Sequence, residues 1–209
     1  LTHLTFENIF NKNIDLSNNI NLTHLTFGFC FSKKINLSNN INLTHLTFGE
    51  CFNQEIILSN NINLTHLTFG ECFNQEIVLS NNINLTHLTF GYKFNQEINL
   101  LNNINLKKVL IDIQNNEIEN TNNLLKIITN GNFEKKINIP LNVKYLKTSY
   151  VENYLMDNLS NNIEELTIYN NNNKNIDNLP NSIKKIIISN SYKELNNLPN
   201  SIEELILFK

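Results

Sequence analysis

The chain repeats itself every 21 residues, and that period limits what it can fold into. Leu22 to Asn42 reads LTHLTFGFCFSKKINLSNNIN, and Leu43 to Asn63 reads LTHLTFGECFNQEIILSNNIN. Further copies start at Leu1, Leu64 and Leu85. Beyond residue 105 the repeat degrades but persists, with starts at Leu106, Leu124, Val143, Ile163, Ile183 and Ile202, spaced 18 to 20 residues apart. Such a unit cannot bury its apolar side chains alone, whereas stacked units share one continuous core. The 209 residues therefore read as a single array of eleven units. Five near-identical repeats span 1–105 and degenerate ones span 106–209. Leu1 already sits at the first position of a repeat, and the chain stops just after a strand pattern, so a fragment of a longer protein is expected.

Each unit opens L-x-x-L-x-F, as in Leu43, Leu46 and Phe48, or Ile163, Leu166 and Ile168. The alternation predicts one strand per unit in a long parallel sheet, apolar residues inward and the residues between them outward. A second apolar set follows, Phe52, Ile56, Leu58 and Ile62, repeated as Phe73, Ile77, Leu79 and Ile83. It is expected to form the opposite wall. About fifteen residues remain for the return, short for a helix plus two turns, so extended or 3₁₀ segments are expected there, with little or no α-helix. Gly49, Gly70 and Gly91 follow the strand, where a sharp turn is expected.

Composition narrows the function classes. The 16 basic residues are all lysine, net charge is −3, and no segment is long and apolar enough to span a bilayer, so neither nucleic acid nor a membrane is an expected partner. Three cysteines are too few for a disulfide scaffold and fit a reducing, cytoplasmic setting. No phosphate loop, G-x-S-x-G or H-E-x-x-H motif is present. An enzyme is not expected, and no cofactor is implied.

Position nine of the units carries Cys30, Cys51, Cys72, Asn132 and Asn171, which fits the leucine-rich pattern L-x-x-L-x-L-x-x-N/C. The pairs Phe52-Asn53, Phe73-Asn74 and Phe94-Asn95, each followed by an isoleucine, and the Leu-Pro-Asn-Ser-Ile runs at Leu179–Ile183 and Leu198–Ile202, resemble FNIP repeats. These are short leucine-rich variants found in social amoebae and giant DNA viruses. Where the family usually has proline, this chain has Glu55, Glu76 and Glu97. The resemblance implies a leucine-rich-repeat-like solenoid. It also implies a role in substrate recognition for an F-box ubiquitin ligase, reached through a Skp1-like adaptor and an F-box absent from this sequence, in the cytoplasm of a host cell if the source is viral. The position-nine column is read as structural, with side chains buried and bonded to the backbone of the adjacent turn.

All five histidines fall in one column, His3, His24, His45, His66 and His87, beside outward threonines that include Thr26, Thr47, Thr68 and Thr89. Farther along the face come Lys108 and Lys126. One reading is a stripe that grips another protein or responds to pH; the other is duplication of a tolerated polar residue. A linear ladder offers a metal at most two neighbouring ligands, too few for tetrahedral zinc. Stacked imidazoles are expected to titrate as a coupled set and to stay mostly neutral at pH 7. The pairs Asn18-Asn19 through Asn102-Asn103 are either amide ladders between rungs or solvated turns. Two functions follow: a protein-interaction module, or a structural protein that self-associates end to end.

Overall fold

A computed structural model describes residues 1–111, 124–129, 135, 137–148, 159–168, 176, 179–189, 195 and 197–208. Eleven strands form one parallel sheet, and they follow the eleven repeats. They are β1 (His3–Thr5), β2 (His24–Thr26), β3 (His45–Thr47), β4 (His66–Thr68), β5 (His87–Phe90), β7 (Lys108–Ile111), β8 (Leu124–Thr129), β10 (Tyr145–Thr148), β11 (Glu165–Ile168), β12 (Lys185–Ser189) and β13 (Glu204–Phe208), stacked in that order. Two short segments of the return side, β6 (Ile98–Asn99) and β9 (Ile137–Asn138), pair with each other. Elsewhere the described return is extended chain and turns, without helix of either kind. The expected solenoid is the fold observed.

The sheet forms because identical rungs offer identical hydrogen-bonding edges. His24 pairs with His45, Leu25 with Leu46 and Thr26 with Thr47, and the same register holds from β1 to β5. Leu22, Leu25 and Phe27 point inward and are at most 1% exposed, while His24 and Thr26 face out and are half-buried. Phe48 and Phe52 stack at 3.9 Å within a rung, and Phe48 meets Phe69 of the next rung at 5.4 Å. Each such aromatic pair adds about 0.5–1.5 kcal/mol to the burial of its area. The core is thus a phenylalanine ladder flanked by leucine ladders.

The opposite wall departs from expectation at one position. Phe52, Ile56 and Leu58 are buried, but Ile62 and Ile83 are 50% and 49% exposed. Asparagine fills that corner instead, since Asn40, Asn61, Asn82 and Asn103 are fully buried. Asn61 Nδ2 donates to Leu37 O at 3.0 Å and to Asn40 O at 2.9 Å, and its equivalents repeat the pattern. The amide adds a second donor to two carbonyls that each already accept one backbone N–H, Leu37 O from Asn40 N and Asn40 O from Leu43 N, and so ties the corner of one rung to the next, which an isoleucine cannot do. The Oδ1 atoms of these four residues have no partner. The neighbouring asparagines also bridge rungs, Asn60 Nδ2 reaching Ser38 O at 3.2 Å, so from Asn39-Asn40 to Asn102-Asn103 both members of each pair link a rung to the one before.

The glycine after the strand serves a purpose other than the one expected. None of the described glycines has positive φ. A Cβ on Gly49, Gly70 or Gly91 would collide with the carbonyl of the preceding rung's glycine. Close approach of backbones, not a left-handed turn, demands the missing side chain.

The stack changes at β8. Lys126 pairs with Lys108 on one side and with Lys147 on the other. Lys108 lies third in its repeat and Lys147 fifth, so the register slips by two residues, which keeps the inward and outward faces in phase. On the return side, Ile98 pairs directly with Ile137, and Leu100 N donates to Asn138 O at 2.9 Å. Two strand steps separate β5 from β8 at the front, whereas one step separates β6 from β9 behind. The front is therefore about one strand spacing, ~4.8 Å, longer over this stretch.

Candidate binding face

The histidine column is real in three dimensions. Neighbouring imidazoles from His3 to His87 stack at 4.2 to 4.3 Å between centroids with planes 9 to 14° apart. The rungs set the spacing, and the preceding threonine sets the ring orientation. His45 Nδ1 lies 2.9 Å from Thr44 Oγ1, and the same contact occurs at 2.9 to 3.0 Å in the other four rungs. Thr44 Oγ1 also lies 3.1 Å from Thr23 O, which already accepts Thr44 N at 2.8 Å and His45 N at 3.0 Å. A hydroxyl has one proton. It donates to Nδ1 when that nitrogen holds a lone pair, and to the carbonyl when Nδ1–H donates to the hydroxyl. The contact therefore survives protonation of the ring.

Desolvation holds His45, His66 and His87 below the ordinary imidazole value. Neighbouring imidazoles add to it at His45 and His66; at His87, Lys108 and Lys107 add more than His45. These are the two effects that disfavour a second positive charge on a crowded face.

Beside the column a groove of about 890 Å³ runs along the strand starts. Thr23, Thr44, Thr65 and Thr86 line one side and Asn42, Asn63, Asn84 and Asn105 the other, with Lys107 at its end. Each of these asparagines anchors its rung to the last, Asn63 Nδ2 donating to Ile41 O at 3.0 Å. The residues that precede the groove asparagines in sequence, Ile20, Ile41, Ile62, Ile83 and Ile104, are each about half exposed. Sequence reasoning missed this isoleucine rail because it had assigned the residues to the core. Their place directly after an Asn-Asn pair in every copy was the available signal.

Of the other expected site residues, Thr26, Thr47, Thr68 and Thr89 form the second outward column, half-buried. Lys108 continues the histidine column by register, as does Lys126. Cys30, Cys51 and Cys72 do stand in one column, but they are half-buried rather than enclosed. Their main-chain N–H groups, not the side chains, bond the backbone of the adjacent turn, Cys51 N donating to Phe29 O at 2.9 Å, while Cys72 Sγ accepts from Lys93 Nζ of the next rung at 3.7 Å. The neighbouring Phe52 fills the core there. Desolvation, then the neighbouring Cys30 and Cys72, push the Cys51 thiol up, away from the reactive thiolate. Asn132 and Asn171 lie outside the described residues. Among the described residues no group of three or more histidine, cysteine or acidic side chains could hold a metal ion, and no helix is long and apolar enough to cross a membrane.

No protein-family model and no curated protein matches the chain. Among solved structures it resembles CroV588, described as a novel circular LRR protein structure, with a TM-score of 0.67 and 31% identity. The likeness covers 100% of this chain and 30% of that one, so the chain spans under a third of its neighbour's length. The fold is thus leucine-rich-repeat-like: a parallel β-solenoid whose outward face carries the histidine and threonine columns.

Proposed function

We propose that this array is a protein-interaction module that engages its partner through the outward face of β1 to β5, with no enzymatic role. The observation that carries this is the asymmetry of the strands. Their inner side is sealed by leucine and phenylalanine from β2 onward, while the outer side stays half exposed beside a continuous groove. Repeat solenoids use such extended surfaces for binding. The test compares Thr44→Arg with Thr65→Arg, both in the groove, against Glu55→Arg on the return side, in a two-hybrid screen. Partners of the unaltered chain should be lost with the groove variants and kept with the control. The reverse pattern would move the binding site elsewhere.

The ligase version, a substrate-recognition segment acting in the cytoplasm, rests on the FNIP-like residues alone. Its test is recovery of a Skp1-like adaptor with the full-length protein. A second reading is end-to-end self-association. Near-identical rungs such as β1 to β5 present the same hydrogen-bonding edge, the arrangement by which one array can extend another. Concentration-dependent growth of particles in light scattering would support it, and a strict monomer would exclude it.

A further inference from the structure

The cysteine column lacks the structural role that its place in the repeat suggests. Cys30, Cys51 and Cys72 are half-buried, Phe31, Phe52 and Phe73 fill the core beside them, and the bonds between rungs are made here by main-chain N–H groups. The three thiols stand in a line, partly open to solvent. We propose that neighbouring thiolates of this column bind a thiophilic monovalent d10 cation, Cu(I) in a cell, in linear two-coordinate geometry, with Cys51 as the ligand common to both pairs. The site lies in the turn past the strands, apart from the histidine face, and does not depend on the binding reading above.

The backbone sets the alignment. Cys30 N donates to Asn8 O at 2.7 Å, Cys51 N to Phe29 O at 2.9 Å, Cys72 N to Glu50 O at 2.9 Å and Lys93 N to Glu71 O at 3.1 Å. One bond repeated at one place in four rungs puts these four side chains in a single column, one rung apart. The turns are also held close, since a Cβ on Gly49 or Gly70 would strike the glycine carbonyl of the rung before. Side chains of the column reach one another: Lys93 Nζ lies 3.7 Å from Cys72 Sγ, and Cys30 and Cys72 both act on Cys51.

Distances choose between the reactions open to stacked thiols. Rungs repeat at ~4.8 Å. A disulfide brings its Cβ atoms to about 3.8 Å and its sulfurs to about 2.05 Å. The two turns would have to close by about 1 Å, against backbone already in contact at the glycines. Two metal–thiolate bonds of about 2.3 Å, laid end to end, span about 4.6 Å and fit the spacing as it stands. A column offers an ion no third or fourth ligand, which excludes tetrahedral zinc and suits a soft d10 ion that accepts two thiolates in line. The histidine column shares the spacing but not the chemistry. Its neighbouring rings lie 9 to 14° from parallel, so their in-plane nitrogen lone pairs run side by side and do not converge, whereas a thiolate carries lone pairs on more than one side.

Protons and charge balance without an oxidant. Two thiols give up their S–H protons to solvent, two metal–sulfur bonds form, and no electron moves. The product carries one negative charge, which Lys93 offsets at the Cys72 end. Desolvation, then Cys30, Cys72 and Glu50, push the Cys51 thiol up, and Lys93 opposes them. Cys51 thus stays protonated, a poor nucleophile toward oxidants, until an ion displaces its proton.

The experiment titrates the full chain, reduced and oxygen-free, with Cu(I) in competition with a colorimetric Cu(I) chelator. The parent should hold the ion, more tightly at pH 8 than at pH 6 because binding releases protons. Any one serine substitution leaves two thiols, but only Cys51→Ser leaves them two rungs, about 9.6 Å, apart. Cys51→Ser should therefore weaken binding about a hundredfold or more, while Cys30→Ser and Cys72→Ser each keep an adjacent pair and stay within about tenfold of the parent. The double variant Cys30→Ser with Cys72→Ser should match Cys51→Ser, which keeps the test decisive if the latter does not fold by circular dichroism. X-ray absorption should show two sulfur neighbours and no nitrogen. No competition with the chelator, equal losses in the three single variants, zinc bound as tightly as Cu(I), or a nitrogen ligand would overturn the proposal.

Discussion

Gly70 passes so close to Gly49 that a Cβ on Gly70 would run into the Gly49 carbonyl oxygen and the Cα of Glu50. Both obstacles are backbone, which cannot swing aside as a side chain can. Gly70→Ala should therefore destabilise the array by about 1–3 kcal/mol or more, the usual range for overpacking. Urea unfolding checks it: the midpoint should fall, although alanine favours the folded state at a glycine whose φ is ordinary and whose surroundings are open.

Asn61 is an internal strut. Its Nδ2 serves Leu37 O and Asn40 O, both in the buried corner. Asn61→Ala removes both inter-rung hydrogen bonds while the carbonyls keep their backbone donors, and each lost bond costs about 0.5–1.5 kcal/mol. Asn61→Leu should not rescue the loss, because the site requires a donor rather than apolar volume. Equal stability of the leucine variant and the parent would overturn this account.

The two isoleucine and phenylalanine positions of the return side should separate cleanly. Phe73 is fully buried and stacks on Phe69 at 3.9 Å, so Phe73→Ala should cost about 3–5 kcal/mol. Ile83 is 49% exposed, and Ile83→Ala should cost well under half as much. Comparable losses in thermal unfolding would restore Ile83 to the core.

Stability should fall on acidification. His45, His66 and His87 have folded-state values below the ordinary 6.5, so between the two values the unfolded chain binds more protons than the folded one. Their contribution is fully present above about pH 6.5 and is lost as pH drops through that value towards the lower, folded ones. The melting temperature should decline from pH 7 to pH 5, and less so with His45→Asn and His66→Asn. NMR titration of the ring signals should place the midpoints of these three below 6.5; five independent transitions at 6.5 would sink the coupled-ladder picture.

Much of this was legible in the residues themselves. The eleven strands, their parallel order and the inward alternation of Leu25 and Phe27 follow from local motifs repeated at one period. The histidine column followed too, because equal spacing brings equal positions into line. What misled was chemistry judged one residue at a time. Ile62 looked like core and Asn61 like either a ladder rung or a solvated turn, yet the buried corner takes the amide, whose Nδ2 ties Leu37 O and Asn40 O to the next rung. The thiol of Cys51 looked enclosed, yet its main chain makes the bond to the adjacent turn.

Sequence alone thus determined the number of rungs, the strand in each and which side chains face out, because strand alternation and a fixed period are properties of the chain itself. Tertiary structure decided how one rung sits on another. It set the glycine-to-glycine contact, the slip that lines up Lys126 with Lys147, and the direct pairing of Ile98 with Ile137. These depend on the shape and hydrogen-bonding edge of a neighbour 18 or more residues away. That information emerges only when both rungs are packed together.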